Sequence, residues 1–228
     1  MEISLDYTQK MSFVRYLDNT LIPARFTVRA DVMPTEGVDD LDIDISFAKI
    51  KFWCETIVSR SIVFSRNNLM ALDMLLDADG KPRLTNNLMI TPDEPNDDHF
   101  AAVLQSKMTA LAKGKIVFGC VRIENDSPSG LVFTYLGDWQ DDLPVMADWF
   151  TTQPYYFSVP WWVRDDASTL DLIAAGDQID VSKPPPWAFS LDFIEDAVRP
   201  LYPEKPIEQA VIRGAFRPKV INGGQDEK

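Results

Sequence analysis

The chain has one histidine, His99, and it closes an acidic run, Asp93-Glu94-Pro95-Asn96-Asp97-Asp98-His99. An imidazole among carboxylates could move a proton, or share an oxygen-rich site for Mg²⁺ or Ca²⁺. The simpler account is the start of a helix, where the macrodipole and the unpaired N–H groups favour negative side chains, and it takes precedence. Asp77-Ala78-Asp79-Gly80 opens like a calcium loop, yet the third oxygen ligand and the later glutamate of an EF-hand are missing, so it reads as a turn. Asp42 and Asp44 stand two residues apart, a spacing that does not bring side chains together on a helix. Nucleophilic chemistry fares no better. GxSxG is absent, and any Ser or Cys triad would have to recruit His99. Cys54 and Cys120 lie in the apolar stretches Phe52-Trp53-Cys54 and Val117-Phe118-Gly119-Cys120-Val121, surroundings that keep a thiol protonated. Neither GxxxxGK[ST] nor GxGxxG occurs, and there is no CxxC. No catalytic residue, metal ligand or cofactor is therefore assigned from motifs. A metal-assisted hydrolase built from scattered carboxylates stays as one alternative.

Composition sets further bounds. The 228 residues carry 35 Asp and Glu against 22 Lys and Arg, a net charge of −13. That balance speaks against direct nucleic-acid binding, because phosphate contacts need Lys and Arg. With 46% hydrophobic and 25% charged residues the chain can build a packed core. Two distant cysteines, charges spread through the first residues and the lack of any apolar run near the roughly 20 residues that span a bilayer predict a cytoplasmic protein without membrane contact.

Periodicity marks the elements that would position the polar groups. Thr20–Met33 alternates through Phe26, Val28, Ala30 and Val32 and predicts a strand that stops at Pro34. Ile43, Phe47, Ile50, Cys54, Ile57 and Val58 recur at steps of three and four, which predicts a helix over Asp40–Ser59, followed by a short strand, Ser61–Phe64. Leu72–Leu76 and Lys81–Leu84 read as a hairpin about Asp79-Gly80, with Asn86–Thr91 extending its return. Asn96 or Asp97 caps a second helix, Asp98–Lys113, whose apolar stripe is Phe100, Val103, Leu104, Met108 and Leu111. Lys115–Ile123 predicts a central strand, and Leu131–Leu136 its antiparallel partner across a turn at Asn125–Gly130. The expected class is α+β, a mostly antiparallel sheet packed with two amphipathic helices over residues 1–137.

Residues 138–228 differ. They hold ten of the 16 prolines, and between Asp138 and Asp180 nine acidic residues face the single Arg164. Short helices are expected at Ser168–Ala175 and Ser190–Val198, within an otherwise irregular Pro- and aromatic-rich region that packs on the core or on a neighbouring subunit. Trp139, Trp149, Phe150, Tyr155, Tyr156, Phe157, Trp161 and Trp162 put more apolar surface into about 24 residues than a solvated loop carries. Such a segment either completes the chain's own core or docks on another subunit. For docking, the anchors would be Trp149, Tyr155, Tyr156, Trp161 and Trp162. The expected function is non-enzymatic: an assembly or protein-interaction component, a structural subunit of a complex such as a viral particle, acting through self-association or a protein partner. The other alternative is an acidic nucleic-acid mimic that inhibits a DNA-binding protein, prompted by the concentrated negative charge.

Overall fold

The computed structural model describes residues 5–75, 87–125, 132–144, 149, 159–171 and 188–202. It opens on a hairpin that sequence periodicity did not foresee. Strand β1 (Leu5–Leu17) pairs antiparallel with β2 (Thr20–Pro34) along its whole length, from Leu5↔Val32 to Leu17↔Thr20. The link is only Asp18-Asn19, with φ of 47° and 60°. This left-handed pair has the twist that a two-residue hairpin turn requires, and Asn and Asp tolerate it best after Gly.

Helix α1 (Asp40–Phe52) follows, with the Asp39 carboxylate accepting from the Asp42 N–H as its N-cap. It runs on through a π-helical turn, Trp53–Ile57, and a 3₁₀ turn, Val58–Arg60, so the predicted helical stretch is one continuous run with a change of pitch. β3 (Ser61–Ser65) then lies parallel to β1. The expected strand Leu72–Leu76 is not one. Helix α2 (Leu69–Leu75) occupies the site, because Asn68 Oδ1 accepts from the Ala71 N–H and the four-residue step from Ala71 to Leu75 buries one helical face. The turn Asp79-Gly80 lies outside the described residues. β4 (Asn87–Thr91) pairs parallel with β3, so its ladder is not that of a hairpin return.

Helix α3 (Asp97–Leu111) and strands β5 (Ile116–Asn125) and β6 (Val132–Tyr135) match the expected stretches closely. β5 runs antiparallel to β2, and β6 antiparallel to β5. The sheet is therefore mixed, in the order β4-β3-β1-β2-β5-β6, and the class is α+β. Between Ala30↔Val121 and Val32↔Phe118 the β5 strand carries one extra residue, a bulge at Gly119-Cys120. Gln105 of α3 donates from Nε2 to the carbonyls of Phe118 and Gly119 and holds that bulge.

One sheet face is covered. Phe100 of α3 packs on Phe13 and Phe26, with centroids 4.9 and 5.6 Å away, and Phe47 of α1 stacks on Tyr7 at 5.3 Å. The opposite face is open across β1, β2, β5 and β6, where Thr8, Lys10, Arg25, Arg29, Glu124 and Thr134 are exposed. No described helix is long and apolar enough to cross a membrane.

Candidate functional site

The largest concentration of perturbed polar groups sits where residues 159–171 strap across α3. Pro160 fixes its own φ at −59° and leads into a 3₁₀ turn, Trp161–Val163. Trp161 and Trp162 are 0% and 1% exposed, and Trp149 is 4% exposed. Trp162 meets Trp149 edge-on at 4.5 Å, while Trp161 lies 6.4 Å from Trp53 and donates its Nε1–H to the Ile90 carbonyl at 2.9 Å. These three rings, offered by the sequence as anchors for a second subunit, are thus packed inside their own chain, and a partner would reach them only by displacing the strap. Tyr155 and Tyr156 lie outside the described residues. The strap also bonds to the outer edge of β4. The Ile90 N–H donates to the Thr169 carbonyl at 2.9 Å, and Thr169 Oγ1 donates to the Leu88 carbonyl at 2.6 Å, so the outer edge of β4 is engaged. Ser168–Asp171, expected as the start of a helix, follows that edge instead.

Four charged side chains hold the strap. Lys107, wholly buried in α3, donates to the carbonyls of Trp161 at 2.9 Å and Arg164 at 2.8 Å, with Asp166 Oδ1 3.6 Å away. Arg164 donates to Asp166 at 3.0 Å, Asp171 at 2.5 Å, Ser168 Oγ at 2.7 Å and the Val159 carbonyl at 3.0 Å. Asp171 Oδ2 accepts from Trp149 Nε1 and from the Trp161 N–H, both at 2.8 Å. Burial pulls the Lys107 ammonium down to about 7, against the pull of Asp166. A neutral amine still has two N–H donors, enough for the two carbonyls. Burial raises the Asp171 carboxyl, whereas Asp166, although desolvated, is held below the usual carboxylate range by Lys107 and Arg164. Strongly perturbed groups mark active sites often enough to demand a test. Among the described residues the donors of the cluster point at the strap, so the cluster's chemistry is that of a clasp. Among sequence features only the isolated Arg164 hinted at it. Lys107 is spaced within the apolar stripe of α3 and carried no signal of its own.

His99 lines a cavity of about 580 Å³ with Asn67, Asp93, Asp141 and Asp142. Its Nε2 accepts from the Asp93 N–H at 3.2 Å, and burial lowers its pKa despite Asp93, Asp98 and Asp142. The Nε2 lone pair is thus engaged by the backbone, and the imidazole ties the approach loop to the first turn of α3. Tyr135 Oη donates to Asp142 Oδ2 at 2.5 Å in the same neighbourhood. Among the described residues no group of three or more His, Cys, Asp or Glu side chains is placed to hold a metal ion. Cys54 and Cys120 are free thiols, and burial raises both.

The open sheet face differs from both sites. Met33, Val117 and Val132 are 44%, 46% and 54% exposed, among the pairs Arg122–Asp31 at 3.1 Å and Arg29–Glu124 at 3.6 Å. Met33 and Val117 are directly opposed across the β2–β5 ladder. Compared with known proteins, the chain matches no family model and no curated sequence.

Proposed function

We propose that the chain is a non-enzymatic assembly or protein-interaction component, a structural subunit of a larger complex. The observation that supports this reading is the open face of the sheet, where Met33, Val117 and Val132 stand out of the pleat beside ion-paired arginines. Apolar side chains grouped with arginine on a rigid surface are what protein contacts bury. In this reading the aromatic segment works from within. Trp149, Trp161 and Trp162 stiffen the body, and the contact is made on the other side of the sheet.

The test is the solution mass of the full chain by light scattering after size exclusion, at low and at high salt. A discrete oligomer that persists at high salt, and that Val117→Asp together with Val132→Asp reduces in mass while the thermal melt is kept, is the expected result. A monomer under every condition, with no complex formed by candidate subunits in the same assay, would sink the proposal.

A further inference from the structure

The outer edge of β1 carries an arrangement that the open face does not explain. In an antiparallel ladder, residues whose N–H and C=O point away from the partner strand alternate with those that point toward it. The Ser12 N–H points away from β2, since it donates to Ser59 Oγ at 3.3 Å, and Val14 is likewise matched with β3 on that side. Asp6, Thr8 and Lys10 share this parity. β3 begins pairing only at Val14↔Ile62, so it does not reach them. Among the described residues no backbone group bonds to Asp6, Thr8 or Lys10 on that edge, where the Lys10 carbonyl accepts only from the neighbouring Gln9 side chain at 2.9 Å, and all three residues are exposed. The β4 edge, by contrast, is engaged by Thr169.

We infer that β1 is a self-pairing edge, which binds the β1 strand of a second copy of this chain antiparallel about a two-fold axis at Thr8. This rests on the assembly reading above and names one surface for it. The sequence of the edge is self-complementary in that register. Thr8 faces Thr8 of the second copy, and Asp6 faces Lys10 of the second copy twice over by symmetry, with neither charge in an ion pair among the described residues. Opposite charges directly across a ladder stabilise it, and like charges oppose it. The outward-facing N–H and C=O groups of Thr8 meet their counterparts as a pair that exchanges both hydrogen bonds. On the other face of the strand, Tyr7 falls opposite Gln9 of the second copy, and this hydroxyl and amide already bond within one chain at 3.2 Å. An isologous contact of this kind closes on itself, so it yields a dimer with one continuous sheet rather than a fibre.

Light scattering on the full chain reads the test. Thr8→Pro removes an N–H that the β1–β2 ladder does not use, so the fold and the thermal melt should stay while the dimer dissociation constant rises at least tenfold. Lys10→Asp should do the same through repulsion from Asp6 of the second copy, and the double reversal Asp6→Lys with Lys10→Asp should restore the dimer. Amide exchange gives a second measure, with the Thr8 N–H slowing as wild-type concentration rises. A wild-type oligomer indifferent to Thr8→Pro, with Thr8 exchanging freely, would overturn the edge pairing and leave assembly through the open face standing. A wild-type monomer at every concentration would overturn both.

Discussion

Arg164–Asp171 and Arg122–Asp31 are the same pair of side chains in two different surroundings. The first closes at 2.5 Å with the side chains 8% and 3% exposed, the second at 3.1 Å with 42% and 35%. In the strap the ions have lost their water, and each must be repaid by protein groups: Arg164 by Asp166, Ser168 and a carbonyl, Asp171 by two N–H donors. On the open face water does most of that work, and the pair adds little beyond local charge balance. The lesson is that counting ion pairs says nothing about what holds this fold. The question is which pairs leave an uncompensated charge behind when broken.

Breaking the buried side should have the largest effect. Arg164→Met strands Asp171 without its main counter-charge, leaves Asp166 with Lys107 alone, and is expected to cost about 3–5 kcal/mol in urea unfolding. Lys107→Met removes the donors of two buried carbonyls and is expected to cost about 2 kcal/mol at neutral pH. The same variant sharpens the comparison through pH. The folded Lys107 titrates at about 7 and the unfolded one at 10.5, so between these values the unfolded chain binds more protons. Stability should therefore rise with pH across that window, and Lys107→Met should flatten the rise. Gln105→Met, which frees the bulge carbonyls of Phe118 and Gly119, should cost about 1 kcal/mol. Arg122→Met on the open face should stay within about 0.5 kcal/mol, read in the same denaturant series. An Arg122→Met loss equal to that of Arg164→Met would erase the distinction.

Much of the fold was legible where one physical signal dominated. α3 showed its stripe from Phe100 to Leu111, and β5 its apolar run, because both elements bury what periodicity counts. β1 was not legible, since Gln9 and Arg15 occupy core-facing positions among Tyr7, Met11 and Phe13 and mask the alternation. Arg15 is buried there because the Pro95 carbonyl and Asp97 receive its guanidinium, a partnership some eighty residues away. The strand misread at Leu72–Leu76 fails for a nearer reason: Leu and Met suit either period, and the deciding residue was Asn68, the cap. Of the clasp, Arg164 stood out by charge. Its relation to Lys107 is set by tertiary packing, which no local spacing encodes, and the strap's path along β4 depends on backbone groups that no side-chain pattern reports.

The Asp18-Asn19 turn has a consequence for how the chain reaches this structure. Closing a two-residue loop loses little chain entropy, so the long β1–β2 ladder is its least costly set of tertiary contacts. Hairpins of this kind form in about 1–10 μs. Both parallel ladders, and the strap that seals β4, must wait for chain closures tens of residues long. Sequence separation then predicts the order of assembly: the hairpin first, as a platform, and the buried ion cluster among the last contacts to lock. Mutations in that cluster are accordingly expected to speed unfolding and to leave the folding rate nearly unchanged.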